Sequence, residues 1–315
     1  MKRFQNLKGS LLLCLAALIW GTAFVAQTTA ADIIPPFALN ASRSIVTAIV
    51  LSLFLLVRRA ITKIPILPPR GLRKKNWLIP GILCGFCLAV SVNLQQFGIV
   101  AYPAGVAAEA RAGFLTALYV ILVPIIGLFL GKKLNLMLAG AVLIAMGGIY
   151  MLCLSGGFDA IYLGDVLMFT CAVSFAFHIL TVDRFGMNMD GILLSMTQFA
   201  VCGIISLILS LSLETTSVSA LLSCTVEILY LGIFSGGIAY TLQIVGQKYA
   251  EPTVASLTMS LESVFAALGG WVISGNVLSF REWIGCGLVF AAIVLAQLPA
   301  PRFFGKRDSA NANRS

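Results

Sequence analysis

Charge is scarce in this chain. Only 10% of its 315 residues are Asp, Glu, Lys or Arg, 59% are hydrophobic, and the mean hydropathy is +0.99. About a quarter of an ordinary soluble domain is charged, so the composition excludes one and indicates a polytopic membrane protein. Histidine occurs once, at His178. With no second His or Cys near it and no H-E-x-x-H, neither a metal site nor a metal-dependent hydrolase is expected. There is no G-x-x-x-x-G-K-[ST], so the chain does not itself consume nucleotide. The eight cysteines are scattered, and the one C-x-x-C, "CGFC" at Cys84, has no partner pair; all eight read as free packing residues. No cofactor is expected.

Long apolar runs are what the sequence has in abundance. A helix needs roughly 17–25 apolar residues to cross the hydrocarbon. Ten such stretches run approximately Gly9 to Gln27, Pro36 to Leu56, Trp77 to Val100, Gly105 to Leu130, Met137 to Leu154, Leu163 to Thr181, Gly191 to Leu213, Val226 to Gln247, Pro252 to Ile273 and Trp283 to Leu298. The first imitates a signal peptide, with Lys2 and Arg3, then "LLLCLAALI", then "AQTTAA". It is read as retained, because cleavage would leave nine spans and break the repeat described next.

The net charge of +9 suggests nucleic acid until its placement is considered. With a cytoplasmic N-terminus, 18 of the 21 Lys and Arg fall on the inner side, including Arg58, Arg59, Lys63, Lys132, Lys133, Lys248 and the tail 299–315. This is the positive-inside bias: it orients both termini to the cytoplasm of a cell membrane, bacterial inner or plasma, puts residues 155 to 162 outside, and removes nucleic acid from consideration.

Ten spans invite division into five and five. An offset of 155 residues lays "GSLLLCLAALIWG" from Gly9 on "GDVLMFTCAVSFA" from Gly164, Trp20 on Phe175, Ala23 on His178 and Arg43 on Gln198; an offset of 147 pairs Asn93 with Tyr240, Gln96 with Gln243 and Tyr102 with Tyr249. Five is odd, so the second copy enters the membrane from the opposite side. Two inverted halves rocking about a shared midpoint site are the architecture of alternating access.

"WGTAF" at Trp20, the Pro36 to Arg43 spacing, "GFLTALYVILVP" in span four, "GD" at Gly164 and "SLESVFAALGGWVISG" in span nine resemble, in that order, the EamA-like repeat of the drug/metabolite transporter superfamily. The resemblance covers residues 10–154 and 162–298. It implies an all-α integral membrane protein: ten transmembrane helices, as two inverted five-helix repeats, form a basket around a central cavity built mainly by spans one, three, four, six, eight and nine. Such repeats often end the fourth or ninth span with Gly-Glu, where this chain has "GKK" at Gly131 and "GNV" at Gly275, so its end-of-helix salt bridges are expected to differ.

A charge at mid-bilayer costs at least about 2.5–3.5 kcal/mol and must face protein or a wet cavity. Glu262 lies on a face with Ala255, Thr258, Ala266 and Gly269, expected to wall the cavity, with Glu262 exchanging a proton during transport. Asn93 and Gln96 in span three, His178 in span six, and Tyr240, Gln243 and Gln247 in span eight are the further candidates for substrate contact, each against the alternative of interhelical hydrogen bonding. Arg43 and Gln198 read as structural polar residues, and Glu109 and Arg111 as interfacial or cavity-mouth groups. Pro124 is expected to kink span four. "GLFLG" at Gly127 and "GIFSG" at Gly232 read as helix-packing motifs.

The expected function is secondary transport, as exporter or exchanger, of a small polar metabolite, amino acids included, with protons as the coupling ion. A lipid translocase or a membrane-embedded enzyme is the alternative. The sequence carries no reading of oligomeric state.

Overall fold

The computed structural model describes residues 2–67, 78–103, 108–132, 134, 136–153, 161–186, 189–274 and 279–298, without the side chains of 2–6, 108–110, 152–153, 269–274 and 297. Residues 155–160 of the proposed outer loop, the basic tail, the Glu109 side chain and the "GNV" turn lie outside what is described. Among the described residues there are helices and no strands.

The helices are α1 (Lys2–Ala31), α2 (Pro36–Thr62), α3 (Leu78–Val100), α4 (Ala108–Ala117), α5 (Tyr119–Phe129), α6 (Leu136–Cys153), α7 (Leu163–Gly186), α8 (Gly191–Leu213), α9 (Val218–Ser223), α10 (Thr225–Tyr230), a π-helical stretch Leu231–Ala239, α11 (Tyr240–Gln247), α12 (Pro252–Met259), α13 (Leu261–Ser274) and α14 (Phe280–Gln297). Seven described segments are long and apolar enough to cross a membrane: Leu7–Ala31, Pro36–Thr62, Leu78–Val100, Arg111–Phe129, Leu163–Gly186, Gly191–Leu213 and Thr225–Gln247. Leu136–Met151 and Pro252–Leu268 are shorter apolar helices. The outer faces carry large apolar side chains such as Leu53, Phe54, Ile204 and Leu211, all exposed. Water would not tolerate such a surface and lipid requires it. This is a multi-pass membrane protein.

Helix ends follow local chemistry. Pro36 and Pro252 occupy first-turn positions, where the missing N–H costs nothing. Asp190 caps α8 through the Ile192 and Leu193 amides, and Ser279 with Glu282 forms a capping box on α14. Gly131 takes φ +78° where the chain leaves α5, with the Lys132 amide bonding back to Gly127 O. Gly127 and Gly131 thus end a helix and do not form a packing pair, contrary to the sequence expectation. Gly232 and Gly236 do form one. A Cβ at Gly232 would lie 2.6 Å from Val46 and 3.0 Å from Arg43 O, and Thr47 Oγ1 donates to Gly232 O at 2.7 Å.

Helix α2 runs antiparallel against α8. The Glu214 carboxylate, just past the end of α8, accepts from the Phe37 and Ala38 amides that begin α2, both at 2.9 Å. At the other end Arg58 pairs with Asp190 at 2.7 Å. Helix α3 packs on α7, α6 on α14, and α1 on α13, α11 and the π-helical stretch. Many contacts come in matched sets. Gly164 meets the Tyr102 ring as Gly9 meets Tyr249; Gly98 meets Met168 as Gly246 meets Leu13; and Gly85 meets Val201 and Gln198 O as Gly232 meets Val46 and Arg43 O.

Two interruptions lie near the middle of the bundle. Leu118 separates α4 from α5, six residues before Pro124, and Ser260 separates α12 from α13. Each immediately precedes a residue of the site: Tyr119 follows Leu118, and Glu262 comes two residues after Ser260.

Candidate substrate cavity

A cleft with about 540 Å³ of space free of atoms, part of it open to the outside, sits where these helices meet. Helix α1 gives Trp20, Ala23, Phe24 and Gln27, one face at i, i+3, i+4 and i+7; α2 gives Arg43, α3 Gln95, α4 Thr116 and α5 Tyr119. From the other half of the chain come Phe175 and Ile179 of α7, Ser235 of the π-helical stretch, Tyr240 and Gln243 of α11, Met259 of α12 and Glu262 of α13.

Glu262 accepts a hydrogen bond from Tyr119 Oη at 3.0 Å. Among the described residues it forms no salt bridge, so one phenol is its only fixed partner. Its helix reaches the lining through Met259 and Glu262, and Ala255 and Thr258 are buried without lining it. At Ser260 the winding tightens locally, with dihedrals still helical and the amide bonded to Ser256 O at 3.0 Å. Farther on, Ala266 is half-buried beside Gly21, whose absent Cβ leaves room for α13 to approach α1.

Tyr240 is held by aromatic edges, with ring centroids 4.8 Å from Trp20, 5.1 Å from Phe199 and 6.0 Å from His178. Such contacts fix a ring while leaving its hydroxyl free to face the space. Three buried polar atoms of the lining have no partner: Trp20 Nε1, Gln27 Oε1 and Gln243 Oε1. Unpaired buried polar atoms are costly, most of all in a protein surrounded by lipid; these three belong to lining residues but have almost no accessible surface themselves.

Arg43 also lines the cavity, although the sequence reading gave it a structural place away from it. Among the described residues its guanidinium makes neither a hydrogen bond nor a salt bridge.

The other sequence candidates lie elsewhere. Asn93 bonds Asn40, Ser206 and Ala89 O. Gln96 donates to Gln27 O at 3.2 Å, and its neighbour Gln95 takes the place in the lining. His178 and Gln198, both fully buried, close on each other at 3.0 Å. Gln247 donates to Ile179 O. Arg111 is a buried ion-pair partner: its NH2 lies 2.9 Å from Asp165 Oδ2 and its Nε 3.2 Å from Oδ1, while Tyr102 Oη and the Tyr162 amide donate to the same carboxylate. The side chain of Glu109 is not described.

Tyr119, Gln27, Gln95 and Thr116 were not singled out in the sequence. The Trp20 to Gln27 face is legible by helical period. Tyr119 gave no signal, because its partner Glu262 lies 143 positions away.

Among the described residues no group of His, Cys, Asp and Glu is arranged to hold a metal ion.

Comparison with known proteins agrees with this architecture. The EamA-like transporter family matches residues 7–154 and 162–298. An "uncharacterized transporter" of Archaeoglobus fulgidus is 26% identical over 296 residues, covering 93% of this chain and 87% of that protein. The "uncharacterized inner membrane transporter YedA" of Escherichia coli K12 is 25% identical over 289 residues, covering 89% and 88%. A crystal structure superposes with a TM-score of 0.72 at 21% identity, over 91% of this chain and 96% of that one, a likeness of fold alone. With both halves matched in order across nearly the whole chain, this protein belongs to the EamA-like transporter family.

Proposed function

We propose that this protein is a secondary active transporter of a small polar metabolite, amino acids foremost, operating by alternating access in a cell membrane with both termini cytoplasmic. The observation that carries the reading is the cavity itself. It gathers one acid, one guanidinium and the amide side chains of Gln27, Gln95 and Gln243 at the meeting point of helices from both halves of the chain.

Ten spans in two inverted repeats follow from the same reading. The matched contacts support it: Gly9 with Tyr249 answers Gly164 with Tyr102, and the two sets are related by the offsets of 155 and 147. Exchanging the conformations of two such halves opens the cavity to the other side. Leu118 and Ser260, where the winding is locally irregular but the backbone stays hydrogen-bonded, lie next to the site residues Tyr119 and Glu262.

The energy comes from a gradient. Glu262 is the group through which a proton enters the cycle: neutral, bonded to Tyr119, when the cavity is dry, and ionised when water or a cationic group of the substrate reaches it. Charged and titratable neighbours in the lining are Arg43, Tyr119 and Tyr240. The test is uptake into sealed proteoliposomes of metabolites that raise the melting temperature of the purified protein, with and without an imposed pH gradient. Saturable flux absent from protein-free vesicles is expected; binding without flux refutes the reading.

A further inference from the structure

The two halves differ at one matched pair of positions. Under the offset of 155, Arg43 corresponds to Gln198 and Ala23 to His178. In the second half this pair is closed: Gln198 and His178 are fully buried and joined at 3.0 Å. In the first half the histidine's place is taken by Ala23, which has no polar group to offer, and Arg43 and Ala23 both line the cavity. Alanine leaves this part of the cavity open, and among the described residues the Arg43 guanidinium has neither a hydrogen bond nor a salt bridge.

A guanidinium stays protonated and carries a rigid fork of donors matched to a carboxylate. At membrane depth it needs a counter-group. The lining holds one carboxylate, Glu262, which is engaged by Tyr119 and forms no salt bridge with Arg43. No other Lys or Arg lines the space, so a phosphate dianion would be half neutralised and would face Glu262. A monoanion beside an ammonium group fits the balance of one cation and one acid.

We propose that Arg43 is the anion anchor of the site: it receives the carboxylate of an α-amino acid, whose ammonium group is drawn toward Glu262 across the same cavity. The proposal names the substrate class within the transport reading given above. It makes Arg43 a specificity-determining residue, and it explains why the first half lacks the histidine that its counterpart has.

The test uses the full-length protein in detergent micelles, with the proteinogenic L-amino acids, their amides, the corresponding acids lacking the amine, and inorganic phosphate as probes. Binding is read by intrinsic fluorescence, since Trp20 lines the cavity, and by thermal shift. Amidation of a bound amino acid is expected to weaken it roughly 10- to 150-fold in the wild-type protein, the loss that goes with a charged hydrogen bond. Arg43→Gln should weaken the free amino acid by a similar factor and leave the amide's affinity unchanged; Arg43→Lys should recover part of the loss. Should Arg43→Gln fail to fold, Arg43→Lys carries the test, because it keeps the charge but not the fork. Indifference to amidation, equal losses for acid and amide in the Arg43 variants, tighter binding of phosphate, or no binding by any amino acid overturns the proposal. Vesicle flux separates it from the transport reading. Equal carriage of a free amino acid by wild type and Arg43→Gln sinks the anchor and leaves the transporter. Arg43-dependent binding without flux leaves the anchor and sinks the transporter.

Discussion

Replacing Arg111 with Met strands the Asp165 carboxylate in a site where both side chains are 8% exposed. That carboxylate accepts from Arg111 Nε and NH2, from Tyr102 Oη and from the Tyr162 amide. The substitution removes two charge-assisted hydrogen bonds of about 1.5–3 kcal/mol each and leaves an acid without its cation, which places the loss near about 3–5 kcal/mol. Asp165→Leu takes the carboxylate from Arg111, whose guanidinium still lies 4.8 Å over the Tyr162 ring, and should also destabilise, by a smaller amount. The double variant Arg111→Met/Asp165→Leu removes both charges from the same buried place, and apolar replacement of a complete buried pair is often neutral. Its stability should therefore lie well above that of either single variant, with a coupling of several kcal/mol. Equilibrium unfolding of all four proteins in mixed detergent micelles, followed by far-ultraviolet circular dichroism, measures the cycle. Single variants as stable as wild type, or a double variant whose losses simply add, would refute the account of this pair as a desolvated staple between α4 and α7.

Three further outcomes follow from the geometry. Glu262→Gln should fold and bind substrate but lose accumulation driven by a pH gradient while keeping some substrate exchange; gradient-driven accumulation equal to wild type in proteoliposomes would make Glu262 a packed acid and not a proton carrier. Gln95→Ala and Gln243→Ala should raise the apparent KM for uptake, whereas Gln96→Ala, which breaks a bond to Gln27 O, should lower the melting temperature more than it affects KM; the reverse ranking would place Gln96 in the site. Gly85→Ala and Gly232→Ala should each destabilise by about 1–3 kcal/mol, because a Cβ at either would lie 2.6 Å from a valine of the facing helix; unchanged unfolding midpoints would show that these helix pairs can part without cost.

The apolar helices were legible because lipid imposes a length and a composition that local sequence must satisfy. Helix α8 begins and ends at the Gly191 and Leu213 read from hydropathy, and α3 at Leu78 and Val100 departs by one residue. The cavity was legible only in part. Glu262, Tyr240 and Gln243 were visible as polar groups in apolar runs. The choice between Gln95 and Gln96 turns on about 100° of helix rotation, which adjacent amides do not reveal. Arg43 was read as a structural residue; that it lines the cavity depends on how α2 meets helices far along the chain, which local sequence does not reveal.

The π-helical stretch from Leu231 to Ala239 acts as a phase adjuster. It presents Gly232 and Gly236 to α2, yet it delivers Tyr240 and Gln243 to the cavity, and the Tyr240 amide bonds back five residues to Ser235 O. In an α-helix each residue advances the face by about 100°, so removing one residue from the stretch would turn everything after it by that angle. The wider winding therefore sets the azimuth of two site residues against a helix seam that cannot itself rotate, since Thr47 is bonded to Gly232 O. Single-residue insertions or deletions should be tolerated poorly here, even at positions that touch neither the seam nor the cavity. A change of winding between π and α during the cycle would swing the Tyr240 hydroxyl and the Gln243 amide through the site without moving the helix axis.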